Sequence, residues 1–318
     1  MRHKIQRIHF VGIGGAGMCG LAEVMLSLGY GVSGSDLREQ TSLDRLRAVG
    51  AEIFIGHDAA HAAAADCVVY SSAVLADNPE RQAAVSRGVP VIPRAQMLGE
   101  VLRFKPGVAV AGTHGKTTVS SMLAAILAAA GQDPTCIIGG CLQDGGGNAR
   151  IGDGEFVVVE ADESDASFLH LQPVAAVITN IDNDHLPAFD GEITKLREAF
   201  VSFANNLPFY GAAIVCADDA GVAAMAAQLT AVRVITYGFA DHAEVCATAV
   251  RATAGGMDFI LRLPGEERAI HLPVAGRHNV QNAAGACAAA WELGADVDAM
   301  AAGLGGFHGV RRRLEGYG

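Results

Sequence analysis

Residues 108–131 read VAVAGTHGKTTVSSMLAAILAAAG: an apolar run, a turn bounded by glycines, and an alanine-rich helical stretch that stops at Gly131. A strand that enters a helix through such a turn presents backbone N–H groups at the helix start, which is a ready anion site. The common phosphate loop is G-x-x-x-x-G-K-[ST]. Here Val110 stands where that pattern asks for its first glycine, and the nearest earlier glycine, Gly112, lies closer to Gly115. The working parts are nevertheless in place. Lys116 can neutralise β- and γ-phosphates, Thr117 can hold Mg2+, and amides from Gly112 through Thr113, His114, Gly115 and Thr118 can cradle a phosphate chain. The plainer reading is a GKT run in an exposed turn, but the strand before it and the helix after it favour the phosphate loop.

Working outward, FVVVEADESD places Glu160 at the end of an apolar strand, where a carboxylate can hold a metal beside phosphates. VITNIDNDH does the same with Asp182, Asp184 and His185. A lone histidine reads first as a surface side chain. Ligands of parallel sheets collect at the carboxyl ends of strands, however, so this set together points to Mg2+–ATP. GAAIVCADD and VRVITYGF supply further strands, residues 244–274 read as shorter alternating strands around GG and PGEE turns, and residues 278–294 return to helix.

Toward the N-terminus, VGIGGAGMCG contains G-x-G-x-x-G as Gly12, Gly14 and Gly17, between a strand and a helix, with Asp36 following a second strand. That context suits close approach of backbone to a diphosphate. Such glycines also serve simple helix–strand packing. Taken alone the motif favours NAD or NADP, but it specifies a phosphate geometry and leaves the nucleotide open. IHFVGIG, GVSGSD, AEIFIG, DCVVYSS and VPVIPR alternate with helical stretches, which implies a parallel sheet with crossovers. FKPG (104–107) marks a junction, giving an expected domain at 1–106 and a second at 107–318. The fold class expected is α/β: a Rossmann-like parallel-sheet domain, then a P-loop α/β ATPase domain with a small antiparallel sheet.

Bulk properties narrow the function. The 318 residues are 51% hydrophobic and 18% charged, which argues against extensive disorder. A formal net charge of −11 argues against broad nucleic-acid binding, which needs a basic face to neutralise phosphates. The seven cysteines (Cys19, Cys67, Cys136, Cys141, Cys216, Cys246 and Cys287) are odd in number and scattered, a pattern of free thiols in a reducing cytoplasm. Long apolar runs are broken by glycine or charge, so no membrane insertion is expected. Two nucleotide-type loops in one chain are the informative combination, because an oxidoreductase leaves AGTHGKTT idle and a simple ATPase leaves Gly12–Gly17 unused.

HFVGIGGAGMCGLAEVMLSLGYGVSGSD, AGTHGKTT, EADESDASFLHLQP, TNIDNDH, NNLPFYG, GRHNVQNAAGA and GFHGVRRR, in that order, resemble the Mur ligases of bacterial peptidoglycan synthesis. The family's phosphate loop has the shorter form seen here. The resemblance implies that the first domain binds a UDP-sugar: Gly12, Gly14, Gly15 and Gly17 cover the diphosphate, with Ser35, Asp36, Ser71 and Ser72 lining the site. It implies ATP in the second domain, with Lys116 and Thr117 at the phosphates and Thr117, Glu160 and His185 around Mg2+. Asn279 and Asn282 would lie near the adenine, and Arg313 near the phosphates. Asn279 also suits helix N-capping. The substrates implied are UDP-N-acetylmuramate and L-alanine, joined through an acyl phosphate. EADESDASFLHLQP looks more like the alanine-adding members than the tripeptide-recycling ones.

The sequence departs from the family in places. NDHLPAFDG differs after His185 from an H-M-x-x-Y-type continuation, and Lys195 is the nearest counterpart of a carbamylated lysine, though it reads more simply as an exposed helix lysine. The family carries a third domain, and this chain stops at Gly318 just after the arginine run. A two-domain piece is expected to bind nucleotide and to ligate poorly alone. An NAD-dependent oxidoreductase and a non-catalytic nucleotide-binding regulator are the competing classes.

Overall fold

The computed structural model describes residues 4–138, 149–164, 166–184, 186–230 and 232–310. Contacts divide the chain into two compact units, Met1–Val101 with Asp144–Ile151, and Leu102–Gln143 with Gly152–Gly318.

In the first unit, β1 (Arg7–Val11), β2 (Gly31–Asp36), β3 (Glu52–Ile55), β4 (Cys67–Tyr70) and β5 (Val91–Pro93) form a parallel sheet in the order β3-β2-β1-β4-β5. Ile8, Phe10 and Val11 of the central strand are fully buried, as a strand covered on both faces requires. The connecting helices are α1 (Ala16–Ser27), α2 (Thr41–Ala48), α3 (Pro79–Ser86) and α4 (Arg94–Val101). Asn78 caps α3, its side chain accepting from the N–H groups of Glu80 and Arg81, with Pro79 pre-set for the first helical position. The strand order reverses between β1 and β4, and such switch points are where doubly wound sheets take ligands. A two-residue strand, β8 (Ala149–Arg150), lies in the 144–151 segment grouped with this unit.

The second unit is built on β6 (Gly107–Ala111), β7 (Thr135–Ile137), β9 (Val157–Glu160), β10 (Ala175–Ile178), β11 (Ala212–Cys216), β12 (Arg233–Gly238), β13 (Val245–Thr253), β14 (Gly256–Leu263) and β15 (Glu266–Leu272). Within this unit the order is β15-β14-β13-β12-β11-β10-β6-β9-β7. From β12 to β7 the strands are parallel, and β13, β14 and β15 are antiparallel to one another. The expected small antiparallel sheet is therefore an extension of the main one. It is joined through a short parallel pairing of Tyr237 with Val245 and Gly238 with Cys246. Its strands, at 9, 8 and 7 residues, are longer than the 5-residue β6, against the expectation of shorter ones. Alternation along β14 continues without a break because this part of the sheet has one buried face (buried at Met257, Phe259, Leu261 and Leu263).

The helices of this unit are α5 (Lys116–Ala129), α6 (Ile193–Asn205), α7 (Ala220–Ala226), α8 (Arg277–Glu292) and α9 (Val297–Gly305). Helix α8 buries a nearly continuous alanine run, Ala283 through Ala290, against the sheet. Small side chains let it come close: a methyl on Gly285 would lie 2.8 Å from the Tyr237 ring. The six described cysteines are buried and none of them is in a disulfide. Among the described residues no helix is long and apolar enough to cross a membrane.

Candidate functional site

In the second unit the site begins where β6 ends. Gly112 has φ +128°, and a Cβ there would fall 2.1 Å from Thr179 Oγ1 and 3.0 Å from Asn180 N, so the chain can turn here only without a side chain. Gly115, in the left-handed region, precedes the first residue of α5. Between them the loop is strapped to the segment after β10. The Thr113 N–H donates to Asn180 O (3.1 Å), and the His114 N–H donates to Asn180 Oδ1 (2.7 Å). Thr179 Oγ1 and Asn180 Nδ2 donate to His114 O, while the Asp182 N–H donates to Thr113 Oγ1.

This corrects one expectation. The Thr113 and His114 amides, expected to face a phosphate chain, donate to Asn180 instead, and the N–H groups with no acceptor inside α5 are those of Lys116, Thr117 and Thr118 at the helix start. Lys116 bends back over the loop. Its Nζ donates to Gly112 O (2.7 Å), Thr113 O (3.3 Å) and both oxygens of Glu163 (3.0 and 2.9 Å). The Glu163 side chain is fully buried and that of Lys116 is 18% exposed, so this ion pair is largely shielded from water.

Register brings the acidic strand ends to the same place. Val110 pairs with Glu160 across β6 and β9, and Ala111 pairs with Ile178 across β6 and β10. Glu160 thus flanks the loop on one side, and Thr179 to Asp184 on the other. The exposed His114 imidazole has Nε2 3.3 Å from Asp184 Oδ2 and 3.9 Å from Asp182 Oδ2. Asn282 reaches the loop from α8, its Oδ1 2.7 Å from where a Gly115 Cβ would stand. Asn279 does not cap α8. The N-cap is Gly276, no side chain caps the helix, and Asn279 Nδ2 donates to Ala275 O (2.7 Å). Lys195 lies on α6, paired with Asp190 and Glu192, which hold its ammonium pKa above the ordinary value. His185 and Arg313 lie outside the described residues.

In the first unit, the N–H groups of Gly12 and Ile13 both donate to Ser35 O (2.8 and 3.0 Å), and the Gly14 N–H donates to Asp36 Oδ2 (2.9 Å). A Cβ on Gly14 would collide with the Gln40 amide, and one on Gly17 would lie 3.1 Å from Arg94 Nη1. The glycine loop thus has a guanidinium beside its helix start. Gly15 is exposed, Ser71 half-buried and Ser72 exposed. Ser35 is different from the expectation that it lines the site. Its side chain is buried and donates to Glu80 Oε2 (2.6 Å), so its carbonyl, not its hydroxyl, serves the loop.

Glu80 is itself buried, with His61 Nδ1 at 2.9 Å, His57 Nδ1 at 3.1 Å and His9 Nε2 at 3.8 Å. Burial alone would push its carboxyl up, but the nearby His9 imidazole and the hydrogen bonds from Ser35 and His61 outweigh burial and hold it at about 2. Sequence reasoning missed Glu163, Thr179, Asn180, Arg94 and Glu80. Glu163 stood in the quoted EADESD stretch and Thr179–Asn180 in TNIDNDH, so position just past an apolar strand was an available signal for these three.

Residues 7–106 match the description "Mur ligase family, catalytic domain", and residues 110–290 match "Mur ligase middle domain". The chain is similar over its whole length to UDP-N-acetylmuramate–L-alanine ligases. It is 52% identical to that of Chromobacterium violaceum, covering 69% of the relative, and 51% identical to that of Variovorax paradoxus, covering 66%. It therefore spans about two thirds of the length of these curated relatives. Among solved structures, it resembles the Neisseria UDP-N-acetylmuramate:L-alanyl-γ-D-glutamyl-meso-diaminopimelate ligase, with TM-score 0.86 and 30% identity, covering 97% of this chain and 100% of that one. It also resembles the UDP-N-acetylmuramate–alanine ligase of Thermotoga maritima, with TM-score 0.82 and 32% identity, covering 96% of this chain and 70% of that one. With both nucleotide-type loops inside matched regions and relatives at about half identity throughout, the chain belongs to the Mur ligase family.

Proposed function

We propose that this chain is the nucleotide-binding part of an ATP-dependent ligase that joins L-alanine to the lactyl carboxylate of UDP-N-acetylmuramate. Labour divides between the two units: the first, built on residues 1–101, holds the UDP-sugar, and the second, which begins at Leu102, holds ATP. The observation that carries the reading is the Gly112–Thr118 loop, fixed at the carboxyl end of β6 with Lys116 folded over it and Glu160 beside it. A carboxylate is a poor acyl donor because oxide is a poor leaving group. Transfer of the γ-phosphoryl group of ATP to the carboxylate gives an acyl phosphate and ADP. The alanine amine then attacks the acyl carbon, forming the amide and expelling phosphate.

The chain's own contribution is positioning and charge. Lys116 exchanges the carboxylate of Glu163 for phosphate oxygens, and the α5 N-terminus adds its unpaired N–H groups. Among the described residues no group of three His, Cys, Asp or Glu side chains is arranged to hold a metal. Mg2+ does not need one, since it uses one or two carboxylates together with substrate phosphates and water. The hard oxygen donors Thr117 and Glu160 fit that need, with His185 the further proposed ligand, and the ion would supply neutralisation of developing phosphate charge.

Two observations weigh against the other classes. Asp36, which in a dinucleotide enzyme would take the ribose, has one carboxylate oxygen committed to the Gly14 N–H of the glycine loop itself. A tripeptide-recycling specificity draws on the likeness to the Neisseria structure, but identity to the alanine ligases is the higher, 52% against 30%. The test is Lys116→Ala in a full-length protein. Turnover should fall by ~10²–10³-fold while UDP-N-acetylmuramate still binds, because one phosphate-stabilising contact is removed and the sugar site is untouched. Near-normal ligase activity in the variant would refute the reading.

A further inference from the structure

The buried polar cluster beneath the first unit's glycine loop is not used by the reaction, yet it is tied to the loop by one residue. Ser35 lies on β2 with its backbone toward the loop and its side chain toward α3. Its carbonyl collects the N–H groups of Gly12 and Ile13, and its hydroxyl donates to Glu80 Oε2. Glu80 comes from the first turn of α3, whose capping by Asn78 fixes where that carboxylate stands. His57 Nδ1 lies 3.0 Å from Ser35 Oγ as well as 3.1 Å from Glu80, and His61 Nδ1 holds the other carboxylate oxygen at 2.9 Å. The His61 ring stacks on Phe54 of β3, 4.2 Å between centroids and nearly parallel, so the imidazole has little freedom to leave. His9 Nδ1 sits 2.8 Å from Ser33 Oγ, and its Nε2 lies buried on the remaining side of Glu80.

We propose that Glu80 is a positioning residue for the ligand of the Gly12–Gly17 loop, acting through Ser35. The chain of contacts runs from the α3 carboxylate, through the Ser35 hydroxyl, to the carbonyl that sets the path of Gly12 and Ile13. A diphosphate is gripped by backbone N–H groups, whose directions depend on that path. An ionised carboxylate in the interior also demands donors on every side. Ser35, His57 and His61 are those donors, so releasing one disturbs the rest of the set. This inference rests on the reading of the first unit as a UDP-sugar site.

The experiment uses the full chain and UDP-N-acetylmuramate as the titrant, with calorimetry on the wild type, Glu80→Gln and Ser35→Ala. Hydrogen exchange of the 12–17 segment is followed in parallel. Ser35→Ala keeps the carbonyl and removes only the link, and it guards against a Glu80→Gln protein that folds poorly. Each variant should bind about three- to tenfold more weakly, the scale of one ordinary hydrogen bond. Exchange should quicken at Gly12 and Ile13 while protection in β4 and α4 stays as in the wild type, which a general loss of stability would not produce. Combining the two substitutions should weaken binding no further than the stronger single change. Wild-type affinity and unchanged loop exchange in both variants would overturn the proposal and leave the site assignment standing. A wild-type chain that does not bind UDP-N-acetylmuramate would instead refute the site assignment, and the proposal with it.

Discussion

Replacing Lys116 by methionine should destabilise the second unit even before any nucleotide is added. Its ammonium is the cation on Glu163, whose side chain is fully buried, at 2.9–3.0 Å from both carboxylate oxygens. Breaking a buried pair by removing one partner leaves the other charge uncompensated, at a typical cost of 3–5 kcal/mol. The lysine is 18% exposed, so some water reaches the pair and the lower end of that range, about 3 kcal/mol, is the expectation. In a domain of ~150–250 residues each kcal/mol moves Tm by about 2–4 °C, so the second unit should melt about 6–12 °C earlier. Pairing Lys116→Met with Glu163→Gln removes both charges and should recover most of the loss, leaving a coupling of ~2–3 kcal/mol in the double-mutant cycle. Differential scanning calorimetry of the four proteins reads this directly. Strictly additive melting shifts, or a Lys116→Met protein that melts with the wild type, would show that the pair is not held as described.

Gly112→Ala should be unfavourable twice over, through its φ of +128° and through the approach to Thr179 and Asn180. Thermal unfolding should show a loss of at least about 1–3 kcal/mol with weakened ATP binding, and an unshifted transition would contradict the loop path. Acid should remove a contribution from Glu80. Its folded-state value of about 2 lies below the ordinary 4.5, so the stabilisation, of order 3 kcal/mol, is complete above about pH 4.5 and disappears as pH falls toward 2. Urea titrations of wild type and Glu80→Gln at several pH values should converge over that window, whereas curves that fall in parallel would argue that Glu80 is not the titrating group.

What could be read from the sequence followed local rules. GVSGSD is β2 to the residue, and the strand–turn–helix at 107–129 lies where its apolar run, glycines and alanines put it. Strands buried on both faces, such as β6, leave a plain apolar signal, whereas β2, whose one apolar side chain is Val32, is placed by its position in the strand–helix alternation. What escaped depends on tertiary meetings: Glu163 is 47 residues from Lys116, and Glu80 is 45 from Ser35. No periodicity encodes such a pairing. A phosphate loop normally offers its amides to phosphate, so sequence alone points Thr113 and His114 that way. The Asn180 side chain, held beside the loop by β10, takes one and its carbonyl the other. GG and PGEE interrupt the alternation of residues 244–274 and so suggest shorter strands, but both are tight links between strands of 9, 8 and 7 residues.

The mixed sheet of the second unit ends on β15, whose outer row of N–H and C=O groups is a template on which another chain's strand could pair. Its sequence, EERAIHL, exposes Glu266, Glu267, Arg268 and His271 and buries only Ile270 and Leu272. Any strand laid along this edge would have to strip water from those side chains, and the prolines at 264 and 273 on either side would interrupt the ladder. The long antiparallel extension is thereby furnished with a border that stops the sheet from growing between molecules, so a concentrated solution of the protein need not turn its own β-structure into an aggregation seed.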